Sequence, residues 1–148
     1  MKKLLLSAAA VVLLFIQGCG VNSNVTTAKD FISNFSKAYA SGDVDKVMKM
    51  WSFINPVDFL KIDEKYRAST VKYSVEEMRA DVEKNLKEKN IWYEAWKNTT
   101  YFSEEDRGQF IFVTVKVLNT YTNIVLIKEN GYLRMHPDPN FFINYMKK

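Results

Sequence analysis

The segment Phe110–Leu118 leaves this chain the least conformational freedom, because nearly every residue from 110 to 118 is β-branched or aromatic. Such residues fit a pleated strand and crowd a helix. Side chains alternate across a strand, so Ile111, Val113, Val115 and Val117 share one face and Phe110, Phe112, Thr114 and Lys116 the other. The first face reads as core. Asn119 to Thr122 reads as a turn into a further strand, Asn123 to Lys128. Asn130-Gly131 is a two-residue hairpin signal into Tyr132 to Met135. Upstream, Ile91 to Phe102 is rich in Trp, Tyr and Thr and is expected to be the first strand, with Ser103 to Gly108 an acidic turn. Pro137 and Pro139 end the sheet and leave Phe141 to Lys148 as a tail or short terminal helix.

The preceding half has helical periodicity. Phe31, Ile32, Phe35, Ala38 and Tyr39 recur at helical spacing behind Thr27 and Asp30, which predicts a helix over 28–41. Gly42 suits its left-handed cap, and Asp43 suits the N-cap of a second helix with Val44, Val47, Met48 and Trp51 on one face. Asn55-Pro56 breaks the pattern, and 57–68 reads as a short helix or an irregular loop. Ser74 and Glu77 form a capping box that opens a helix over 75–89. Helices first and antiparallel strands after them make an α+β domain, with N-terminal helices packed on one face of a sheet of about four strands.

The N-terminus carries a different message. Lys2 and Lys3 precede an apolar and small stretch from Leu4 to Ile16, which is the layout of a secretory signal. It falls short of the roughly 20 apolar residues that cross about 30 Å of hydrocarbon. Ile16-Gln17-Gly18-Cys19 resembles the lipobox of bacterial lipoproteins, and Cys19 is the only cysteine in the chain. That resemblance implies cleavage between Gly18 and Cys19, lipid on Cys19 and a tether over 19–26 ahead of one domain over 27–148. Gly20 after the cysteine resembles lipoproteins passed to the outer membrane in a bacterium with two membranes; in one with a single membrane, the outer face of the plasma membrane is expected. An ordinary signal peptide with a chance cysteine and a cytosolic chain with an apolar first helix are the rival readings. With one cysteine there is no intramolecular disulfide, so the domain must be held by its core.

The order of elements resembles the nuclear-transport-factor-two-like, or cystatin-like, superfamily, in which a curved sheet wraps helices into a cone, and that resemblance implies a curved antiparallel sheet here. The carriers are Phe31 through Tyr39 followed by Ser41-Gly42-Asp43, and the late hairpin Lys128-Glu129-Asn130-Gly131-Tyr132-Leu133. The resemblance spans about residues 26–136 and implies fold more than activity.

Enzymes of that superfamily place an acid or base inside the cone. Here 110–118 and 123–126 hold no Asp, Glu or His. His136, the only histidine, sits beside two prolines at a sheet end and is expected at an exposed rim, and Asp58, Asp63 and Glu94 are expected to be solvated. Zinc sites want several His or Cys ligands, and Asp43 and Asp45 lack the further oxygens of a calcium loop. No phosphate-binding glycine loop and no nucleophile elbow occur, so no cofactor is expected. The net charge of +4 includes Lys2 and Lys3, leaving +2 after the signal, with no basic stripe for nucleic acid.

What remains is an aromatic surplus. Trp51, Trp92, Tyr93, Trp96 and Tyr101 gather where helix gives way to sheet and read first as core or a subunit interface, second as the lining of an apolar pocket. Phe110 and Phe112, if exposed on the second sheet face, point to pairing as a homodimer or with another envelope protein. The expected partner set is therefore a membrane, through Cys19, and a protein or small apolar ligand. The expected role is a non-catalytic binding or accessory module. An acid/base enzyme and a structural or inhibitory interaction module are the alternatives.

Overall fold

The computed structural model describes residues 21–70 and 73–146. Helices α1 (Ala28–Ser41), α2 (Val44–Met48), α3 (Pro56–Leu60), α4 (Val75–Glu88) and α5 (Ile91–Lys97) come first, with a 3-10 turn over Glu64–Ser69. Strands β1 (Thr100–Asp106), β2 (Phe110–Val117), β3 (Thr120–Glu129) and β4 (Tyr132–His136) follow, then α6 (Pro139–Met146). The strands form one antiparallel sheet in the order β1-β2-β3-β4, which is open at both ends. The chain is thus α+β, with its N-terminal helices packed on a four-stranded sheet.

Local chemistry sets the helix ends. The Asp30 N–H donates to Thr27 Oγ1 at 3.2 Å, and α1 stops at Gly42, whose φ of 71° lets its N–H reach the Tyr39 carbonyl at 3.1 Å. Asp43 caps α2 by accepting from the Lys46 N–H at 3.1 Å. Both halves of the capping box at Ser74 and Glu77 are present. Helix α2 ends before Trp51, which lies instead in extended backbone beside β4. There Met135 donates to the Met50 carbonyl and the Ser52 N–H donates to the Met135 carbonyl, each at 2.9 Å.

Three further boundaries differ from the sequence reading. Residues 91–97 are helical, not the start of a strand. Asn90 Oδ1 accepts from the N–H groups of Trp92 and Tyr93 at 3.0 and 3.2 Å, and this cap together with the burial of Tyr93 and Ala95 overrides β-propensity. Ser103 and the acidic residues Glu104 to Asp106 belong to β1 rather than to a turn, because an exposed edge strand makes no demand for apolar side chains. The turn is Arg107 to Gln109, where Gly108 has φ 81°. Strand β3 begins at Thr120, so only Leu118 and Asn119 join β2 to β3. The Asn130-Gly131 hairpin is as expected, with φ of 52° and 82°, the pair of positive values a type I′ turn needs.

Each face of the sheet carries a packed core. Toward α1, α2 and α4 lie Ile111, Val113, Val115, Ile124, Leu126, Leu133 and Met135, packed on Phe31, Phe35, Tyr39, Val47 and Val82. The opposite face carries Phe110, Phe112, Val125 and Ile127, and these pack under Val57 of α3 and Phe141 and Phe142 of α6. The terminal segment is therefore a helix that closes a second core. Phe110 and Phe112 are 5 and 9% exposed.

Candidate functional site

Gly18 and Cys19, the expected cleavage and lipidation positions, lie outside the described residues. The segment that follows them is docked onto the domain. The Asn22 N–H donates to Asn34 Oδ1 at 3.0 Å, and Arg134 Nη1 and Nη2 donate to the Ser23 carbonyl and Asn24 Oδ1 at 2.6 and 3.1 Å. The Leu133 N–H donates to the Val25 carbonyl at 2.9 Å, with Val25 itself buried. Residues 22–25, expected as part of the tether, thus lie alongside β4 and blunt that edge of the sheet.

The aromatic residues divide between interior and surface. Phe35 stands at the centre of the helix–sheet interior with ring centroids of Phe31, Tyr39, Trp51 and Trp96 at 5.9, 5.1, 5.8 and 5.4 Å. These rings pack against one another between α1 and the sheet. Burial pushes the Tyr39 hydroxyl far above the ordinary phenol value, with the charge of Asp81 adding to the shift, so the group is neutral at physiological pH. Among the described residues the buried Trp51 indole N–H has no hydrogen-bond partner, an arrangement that costs stability. Trp92 is 58% exposed and, with Trp96, lines a surface pocket of about 480 Å³ beside α4. Tyr101 is half-buried and packs against the same core from β1.

His136 is buried, not exposed at a rim. Its position on β4 opposite Val125 puts it on the α6 side of the sheet, with its ring 5.1 Å from that of Phe142. The Asp138 N–H donates to Nδ1 at 3.1 Å, which leaves the proton on Nε2, 3.0 Å from the Ile54 carbonyl that accepts it. Both nitrogens are thereby committed to the backbone. Desolvation lowers its pKa, partly offset by the Ile54 carbonyl and by Asp138. Asp138 in turn caps α6 by accepting from the Phe141 N–H at 3.1 Å. Asp58, Asp63 and Glu94 are solvent-facing, and each is paired with a nearby cation, Arg67, Lys65 and Lys97 respectively. Among the described residues no group of three His, Cys, Asp or Glu side chains is placed to hold a metal ion, and no helix is long and apolar enough to cross a membrane.

Two surface features went unread in the sequence. One is a groove of about 420 Å³ between α1 and the start of β1, bordered by Lys29, Ser33 and Lys37 at four-residue spacing and by Thr100 and Tyr101. The spacing was legible, but what lies opposite it depends on the packing of α1 against β1. The other is the exposed pair Phe102 and Tyr121, 61 and 57% exposed with ring centroids 4.8 Å apart, on the half of the sheet that α6 does not reach. Tyr121 lies opposite Lys116, which places the pair on the face that Phe110 and Phe112 share further along the strand. Comparison of the chain with protein-family models, with curated proteins and with solved structures finds no match to any of them.

Proposed function

We propose that this protein is a lipid-anchored lipoprotein of the bacterial cell envelope whose domain is a non-catalytic binding or accessory module acting through its outer surface. The address rests on the signal-like start and on Ile16-Gln17-Gly18-Cys19. In a bacterium with two membranes the outer membrane is the proposed site.

The observation that carries the role is the aromatic packing around Phe35. In a cone that serves as a catalytic or ligand pocket, the space between helices and sheet is open and lined by a few convergent polar groups. Here Phe31, Tyr39, Trp51 and Trp96 surround Phe35 in that space, and His136 uses both ring nitrogens to hold backbone on the far side of the sheet. The docking of residues 22–25 supports the same reading. From Cys19 to Asn22 the covalent path spans at most about 10 Å, so a lipid on Cys19 would hold the domain close to the bilayer and leave its outward surfaces available for contact.

The test is titration of the folded domain with an apolar fluorophore and with a medium-chain fatty acid. The expected result is no saturable one-to-one binding by either probe. Saturable one-to-one binding of either probe to the natively folded domain would contradict this reading and move the function to the interior.

A further inference from the structure

The edge strand β1 is built unlike the opposite edge. β4 is flanked by residues 22–25 and by Met50–Ser52, whereas β1 hydrogen-bonds to β2 alone, and among the described residues no backbone bond leaves its outer side. An open edge of this kind is a template for another strand. The question is which strand its side chains admit.

Register and charge answer it. Tyr101 and Glu104 lie opposite Val115 and Val113, so both project on the helix side of the sheet. Thr100, Ser103 and Glu105 project on the other side, opposite Lys116, Thr114 and Phe112. The register shifts between Tyr101 and Ser103, which leaves Phe102 at a bulge with its ring on Tyr121. The acids of β1 are not equivalent. Asp106 is held by Lys128 at 3.1 Å and Glu105 by Arg107, whereas Glu104 has no cation partner among the described residues and accepts only from the Tyr101 hydroxyl. Lys29 and Lys37 on α1 likewise pair with no carboxylate among the described residues, and they flank the groove into which the start of β1 runs.

We propose that the occupant of this edge is a second copy of the same chain, paired antiparallel through β1 about a two-fold axis between Phe102 and Ser103. In that register Tyr101 faces the partner's Glu104, Thr100 faces the partner's Glu105, and Phe102 faces the partner's Ser103, so every opposed pair shares one side of the sheet. Each unpaired Glu104 then lies beside the other copy's Lys29 and Lys37, and the two Phe102–Tyr121 pairs meet near the axis. A two-fold interface is self-complementary, and here the acidic end of each strand meets the lysine-flanked end of the other. The acids also select the register. Parallel pairing would set Glu104, Glu105 and Asp106 against the same three acids, and a one-residue slip would put Glu104 and Tyr101 on opposite faces. The inference stands on the edge strand and the groove, and it holds whether or not Cys19 carries lipid.

The experiment uses the chain from Val21 onward, which contains both cores complete and no cysteine. Sedimentation velocity over a range of concentration is run on this chain, on Glu104→Lys, on Lys37→Glu and on the combined variant. Oxidation of Ser103→Cys is compared with oxidation of Asn119→Cys at the far turn. The inference expects a reversible dimer weakened about tenfold or more by each single charge reversal and largely restored in the combined variant. It also expects disulfide-linked dimer from Ser103→Cys and not from Asn119→Cys. A monomer up to millimolar concentration with no Ser103→Cys cross-link would overturn it. So would a dimer indifferent to the charge reversals whose two cysteine variants cross-link alike, because that dimer uses another surface.

Discussion

A lone histidine beside two prolines gave no sign in the sequence of being buried, because its burial is made by α6 and by the loop before α3, elements far from it in the chain. The structure shows it pinning Ile54 and Asp138 with a neutral ring. Its folded pKa is depressed by burial, so the unfolded chain binds the proton more readily. The stability it contributes is complete above the ordinary imidazole value of 6.5 and is lost as pH falls below it toward the folded value. Urea midpoints measured from pH 7.5 to 5 are expected to fall with acid in the wild type and to fall less steeply in His136→Gln. That variant is also expected to be less stable by about 1–3 kcal/mol at pH 7.5 through its lost backbone bonds. A second residue works against the fold. Leu118 opens the two-residue turn between β2 and β3 with φ 53°, a conformation that costs a leucine roughly 1–2 kcal/mol, and it is exposed enough to offset little of that by burial. Leu118→Gly is expected to raise the unfolding free energy by about 1 kcal/mol in the same assay.

At the scale of elements, α1, α4 and the β2–β3–β4 meander were legible because each has a local signal that agrees with its packing. These signals are the Thr27 cap, the Ser74–Glu77 box, the alternation along 110–117 and Asn130-Gly131. Ser74→Ala is expected to cost about 1 kcal/mol, read as a lower urea midpoint. The errors fall where local and tertiary signals diverge. Residues 91–97 have strand-like composition but are capped by Asn90 and packed as a helix, and 103–106 have turn-like charge but hold an edge strand. The role of α6 was hidden for a related reason. Phe110 and Phe112 read as a sticky outer face, and only the fold shows that Phe141 and Phe142 cover them within the chain. Phe142→Ala is expected to destabilise the domain by about 3–5 kcal/mol, and residual native protein should bind an apolar dye that the wild type excludes.

For the molecule as a whole, two cores share one sheet, the β4 edge is covered by residues 22–25 and 50–52, and the β1 edge is left open. The aromatic cluster expected as core is largely core, with Trp92 the exception at the surface. The groove beside Lys29 and Lys37 was not legible, since it exists only once α1 crosses β1. A domain with a ring cluster packed around Phe35 and docked to its own leading segment makes sense as a contact module held at a membrane, and the anchor is the part of that account on which the rest of the proposed role depends. The most direct test is the intact mass and membrane fractionation of the full chain expressed in a bacterium, beside Cys19→Ser. The account predicts a wild type cleaved before Cys19, carrying lipid mass and sedimenting with membranes, and a variant with neither the lipid mass nor the membrane association. Identical masses and identical fractionation for the two, with no added lipid, would contradict it.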